Sequence, residues 1–67
     1  MGPADPRLAL ALENVAALLE AKEDYRGAEP LYRRALGIAE KSLGRDDPAT
    51  QNIRDELAEM LKNNQVR

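Results

Sequence analysis

One short phrase occurs twice in this chain. Gly2-Pro3-Ala4-Asp5-Pro6 returns as Gly44-Arg45-Asp46-Asp47-Pro48, a displacement of 42 residues in a sequence of 67. Self-similarity at a fixed period of this size marks an array of stacked units. Such a unit cannot bury its own apolar face and leans on neighbours. The repeat therefore points to a binding scaffold built of alike layers.

Sixty-seven residues make at most one domain, and a core this small is marginal without a staple or a partner. The usual staples are missing: the sequence contains no Cys and no His. That removes disulfides, thiolate metal sites, the commonest metal ligand and the commonest general base. The aromatic residues are Tyr25 and Tyr32, and the apolar payload is Leu and Ala, residues that fill helices. Ten basic and twelve acidic residues leave a net charge of −2. This near-balance gives no electrostatic reason to expect nucleic acid or an anionic membrane as partner. The longest apolar run, Leu8 to Leu12, is far too short to span a bilayer. Asp5 and Pro6 interrupt the place where the apolar stretch of a signal peptide would lie. A soluble, cytoplasmic chain is the expectation.

Three helices are predicted. Asp5 is a good N-cap, and Pro6 suits the first helical position, where its missing N–H is not needed. From there Leu8, Leu12, Val15 and Leu19, with Ala11 and Ala16, recur at helical spacing. Leu10, Ala17 and Leu18 lie off that stripe, and a helix so broadly apolar expects packing on two sides. Lys22 to Asp24 carries the turn. The second helix starts near Arg26, with Ala28, Leu31, Tyr32, Ala35, Ala39 and Leu43 as its stripe, supported by Leu36 and Ile38. Pro30 lies early in it, and Glu29 with Arg33 forms an i,i+4 pair. Gly44 ends it as a C′ glycine. Asp47 and Pro48 then repeat the opening device, and Ile53, Leu57, Met60 and Leu61, with Ala58 beside them, form the third stripe. The polar end from Asn63 to Arg67 is expected to fray.

A shift of 42 residues sets Asp5 on Asp47, Val15 on Leu57, Ala16 on Ala58, Leu18 on Met60 and Leu19 on Leu61. Two organisations are consistent with this. The chain is cut from a longer array at a repeat boundary, or it is a short protein that pairs with copies of itself.

The segment Asn14 to Pro48, NVAALLEAKEDYRGAEPLYRRALGIAEKSLGRDDP, resembles the 42-residue tetratricopeptide repeat of the kinesin-light-chain type. Leu12 and Val15 fall on that family's large positions, Ala16 on its small one and Leu19 on its aromatic. Tyr25 matches the later aromatic of the turn, and Ala28, Tyr32 and Ala35 match the small-aromatic-small series of the second helix. Departures are Glu23 in place of the turn glycine, which predicts a less sharp turn, Leu19 in place of an aromatic, and Arg54 where the first unit has Leu12. The resemblance implies an all-α fold: an antiparallel helix hairpin plus a third helix, one and a half repeats of an α-solenoid. Residues 1–67 then form a single module, with repeat one over 6–47 and the first helix of repeat two over 48–63.

The resemblance also implies a function. In that family the first helix of each unit lines a groove in which an extended peptide lies. By position, the groove side would be Leu10, Glu13, Asn14, Ala17 and Glu20, with Ala21 further along. The second unit would supply Asn52, Asp55, Glu56 and Glu59, then Lys62 and Asn63. Asn14 matches the asparagine that holds a peptide backbone, since its amide both donates and accepts; Glu56 stands at the equivalent place in the second unit. This side is acidic, so a partner protein or peptide carrying Lys or Arg is expected.

Catalysis is not expected. Asp55, Glu56 and Glu59 with Asp46 and Asp47 form no pocket that would raise one carboxyl for acid–base work, and Asp46-Asp47 alone lacks the ligand number for calcium or magnesium. There is no phosphate loop, nucleophile elbow or dinucleotide fingerprint, Ser42 has no His to activate it, and Arg33-Arg34 reads as surface. No cofactor is expected. The leading expectation is a non-catalytic protein-interaction module. The alternative is a self-assembly unit that oligomerises through its repeat ends or by exchanging helices.

Overall fold

The computed structural model describes residues 5–66. The Gly2-Pro3-Ala4 part of the repeated phrase and Arg67 lie outside them. The described chain forms three helices: α1 (Pro6–Ala21), α2 (Tyr25–Ser42) and α3 (Pro48–Val66). Asp5 caps α1, its Oδ1 accepting the Arg7 N–H at 2.8 Å. Asp47 does the same for α3, accepting the Ala49 N–H at 2.9 Å. In both cases Pro occupies the next position, where a donor would have gone unused.

The turn between α1 and α2 is as tight as a glycine would have made it. Glu23 itself takes the left-handed conformation, at φ 62°. The N–H groups of Lys22, Glu23 and Asp24 all donate back to carbonyls of the last turn of α1, that of Asp24 reaching Leu19 O at 2.8 Å. The expectation of a blunter turn is therefore corrected: the hydrogen bonds hold Glu23 in a conformation that costs a non-glycine residue about 1–2 kcal/mol. Asp24 accepts the Gly27 N–H at 3.1 Å and so starts α2 at Tyr25, one residue before the predicted start. Pro30 lies beyond the N–H groups that a helix start leaves free, so one helical bond, to Arg26 O, is missing. At the far end Gly44 adopts φ 92°, and its N–H donates to both Ala39 O and Glu40 O at 3.2 Å. That closes α2 as the sequence predicts. The third helix runs on to Val66 instead of fraying from Asn63.

α2 is the central layer. Ala28, Tyr32, Ala35, Ile38 and Ala39 are buried along it, Ala9 and Ala16 come from α1, and Ile53, Leu57 and Met60 come from α3. One cluster joins Ala9, Ala35, Ile38, Ala39 and Ile53; a second joins Ala16, Ala28, Tyr32, Leu57 and Met60. The alanines let the helix axes approach closely, and Tyr32, 1% exposed, fills the space between them.

Four residues of the predicted stripes are outside, Ala11 and Ala58 among them. Val15 is 48% exposed and Leu43 40%. α1 meets α2 through Ala9, Leu12, Ala16 and Leu19, and Val15 falls on another side of the helix. Thr50, which composition reads as polar, is fully buried, with its Oγ1 directed at Ala39 O at 3.4 Å. Its spacing to Ile53 and Leu57, at i+3 and i+7, is the signal that could have found it. Arg54, in the place of a packing leucine, pairs with Glu40 of α2 at 3.3 Å.

Candidate partner-binding face

The residues that sequence reasoning assigned to a groove lie on α1 and α3, the two helices that flank α2. Leu10, Asn14 and Ala17 are exposed along one stripe of α1, Leu10 at 57%. Glu13 and Glu20 are half-buried beside them. On α3, Asn52, Asp55 and Glu59 are exposed and Glu56 is half-buried.

Four of these side chains are brought together. The Asn52 amide Nδ2 donates to Glu13 Oε2 at 3.2 Å, linking α3 to α1. Glu56 lies one turn further along α3 and shares the environment of Glu13 and Glu20. Beneath them the Tyr32 hydroxyl donates to Glu20 Oε1 at 2.8 Å. Leu10, Asn14, Ala17, Asp55 and Glu59 join no hydrogen bond or ion pair within this cluster. Tyr32 is the member that sequence reasoning placed in the core alone; its hydroxyl reaches the rim.

The electrostatics are one-sided. The ion pairs among the described residues are Arg7–Asp5, Arg33–Glu29 and Arg54–Glu40; none involves Glu13, Glu20 or Glu56. Burial, then a hydrogen bond with Glu13, then the charges of Glu13 and Glu20 push the Glu56 carboxyl up to about 7. Burial first, and then the bond to Glu20 and the surrounding carboxylates, push the Tyr32 phenol above its ordinary value. Among the described residues no group of three acidic side chains converges in a way that could hold a metal ion. Among the described residues no helix is long and apolar enough to cross a membrane.

The family model described as tetratricopeptide repeat matches residues 8–49, one full period. Among curated proteins, tetratricopeptide repeat protein 19, mitochondrial, of Mus musculus is 44% identical over 57 residues, covering 85% of this chain and 15% of that protein. The Rattus norvegicus and Homo sapiens proteins of the same name are 41% and 42% identical over 61 and 57 residues. The chain covers 16% and 14% of their lengths, and 91% and 85% of it is matched. It thus spans only a small part of the relatives it resembles. No solved structure gives a significant match.

Proposed function

The chain belongs to the tetratricopeptide repeat family, and we propose that it is a non-catalytic protein-interaction module whose α1 and α3 side receives a basic peptide or protein segment. The observation that carries this reading is the set of Glu13, Glu20 and Glu56, which no cation of the described chain neutralises. A Lys or Arg side chain entering there gains charge-assisted hydrogen bonds. Leu10 and Ala17 add apolar surface beside the carboxylates, and the exposed Asn14 amide is available to a peptide backbone. The relatives are named as mitochondrial proteins.

Fluorescence anisotropy with length-matched Lys/Arg-rich and Asp/Glu-rich peptides tests the reading. The basic series is expected to bind, with affinity falling as salt rises and falling again in the Glu13→Gln/Glu20→Gln variant. Equal or tighter binding of the acidic series refutes it.

A second reading, assembly through a repeat end, is favoured by one observation. Thr50, Ile53, Leu57 and Met60 of α3 are buried against α2. Their equivalents one period earlier are Leu8, Ala11, Val15 and Leu18 on α1. There Val15 and Leu18 stand 48% and 57% exposed and Ala11 is exposed as well. An unpartnered strip of that kind favours stacking. Light scattering at several concentrations separates the readings: a mass that stays monomeric removes assembly, and an oligomer dispersed by Leu18→Lys supports it.

A further inference from the structure

The outer side of α2 is left uncovered by the fold. Its inner side is buried between α1 and α3 through Ala28, Tyr32, Ala35, Ile38 and Ala39. The residues of α2 that stay exposed are Arg26, Pro30, Arg33, Arg34, Gly37 and Lys41. At 3.6 residues per turn these fall within about a third of the helix circumference. Every exposed charged side chain of this helix is basic. Its acidic residues, Glu29 and Glu40, are half-buried at the edge of the strip, and each is already held by an arginine: Arg33 at 2.8 Å and Arg54 at 3.3 Å. Arg26, Arg34 and Lys41 form no ion pair with the described residues. The net charge of −2 conceals this row of cations, because Glu13, Glu20, Asp55, Glu56 and Glu59 all belong to the other two helices.

The spacing specifies the shape of what fits. Arg26 lies seven and eight residues before Arg33 and Arg34, and Lys41 lies eight and seven after them. Pro30 and Gly37, also seven apart, separate the charges. A Cβ at Gly37 would meet nothing within 4 Å. Cations thus recur every two turns, about 11 Å apart, in a row about 22 Å long. Recurrence at seven residues keeps a second helix in register alongside the first. A lipid surface is best met by a broad basic face, whereas this is a single row one helix wide.

We propose that the outer side of α2 docks an acidic helix of a partner protein, with Asp or Glu at seven-residue intervals pairing with Arg26, with Arg33 and Arg34, and with Lys41. Pro30 and Gly37 carry no long side chain, so the partner approaches closely between the charged rungs. This side is turned away from the buried seams with α1 and α3. The inference therefore does not rest on what the carboxylates of those helices bind.

Nitrogen-15 amide shift mapping on the whole chain tests it. The probe is a helical peptide with Glu at every seventh position; the controls are the same composition scrambled, and phosphatidylglycerol vesicles. The spaced peptide should perturb amides along Arg26 to Lys41 and bind about tenfold more tightly than the scrambled one, as three or four exposed ion pairs supply. That difference should vanish in Arg34→Gln/Lys41→Gln, whose substitutions are exposed and keep helix propensity. A Lys/Arg-rich peptide should keep its affinity in the same variant, so the two sides of the molecule fail separately. Perturbation centred on α1 or α3, equal binding of the scrambled peptide, or equal loss of vesicle binding in the variant overturns the proposal. So do shifts of the α2 amides that follow the protein's own concentration without peptide, since they name a second copy as the occupant.

Discussion

The hydroxyl of Tyr32, whose ring is buried at the centre of α2, donates to Glu20 Oε1 near the end of α1 at 2.8 Å. One side chain therefore fills the interior of the hairpin and fastens its rim. The ring belongs to the packing of Ala16, Ala28, Leu57 and Met60, and the oxygen belongs to the acidic face.

Tyr32→Phe separates the two roles. The ring is retained and one hydrogen bond to a carboxylate is lost, which should cost about 1–2 kcal/mol in urea unfolding. The packing contribution remains, so the helical circular dichroism of the folded chain should be unchanged. A cost near zero would show that the bond is exchanged for water without penalty.

The glycines of α2 should respond with opposite signs. A Cβ at Gly27 would lie 2.7 Å from Asp24 Oδ2 and 3.2 Å from Leu19 Cδ1, whereas at Gly37 it meets nothing within 4 Å. Gly37→Ala should stabilise by about 0.5–1 kcal/mol through helix propensity alone. Gly27→Ala gains the same propensity but displaces the capping carboxylate, a loss of about 1 kcal/mol, and also crowds Leu19. Its net effect should be destabilising, and thermal melts of the two variants side by side decide it.

Glu23 holds a left-handed conformation at φ 62°. Glu23→Gly relieves about 1–2 kcal/mol of backbone strain and gives back about half of that through the freer unfolded chain. A modest rise in melting temperature is expected. A fall would mean that the side chain's own contacts outweigh the strain.

Thr50→Val keeps the buried shape and removes a long bond to Ala39 O. At 3.4 Å the bond is weak, and the burial of a methyl in place of a hydroxyl offsets it. Stability within about 0.5 kcal/mol of the parent is expected from chemical denaturation. A large loss would show that Ala39 O depends on this donor.

Much of the fold was legible in order of locality. Asp5, Asp24 and Asp47 cap, and Gly44 closes α2, through bonds to groups within five residues. The proline and glycine positions could therefore be read directly. The predicted stripe on α2 was nearly right because α2 is covered on two sides, so most of its apolar residues found partners; Leu43, at its end, did not. The stripe on α1 was less well read. Its sequence is apolar on several sides, and periodicity does not say which side meets α2. On the candidate face, the acidic character of α1 and α3 was plain from residue types. The meeting of Glu13 with Asn52, and of Glu20 with Tyr32, was not, since these pairs lie 39 and 12 residues apart.

The 42-residue repeat shows the division most clearly. It aligns Ala16 with Ala58, yet Ala16 is buried and Ala58 is exposed. It aligns Leu18 with Met60, and here Met60 is buried while Leu18 is 57% exposed. Repetition in the chain dictated that both segments are helices with the same start, because capping and helix propensity act within a few residues. Burial was decided by tertiary position. α1 has α2 after it, α3 has α2 before it, and each turns to that one neighbour a different side of the same helical pattern.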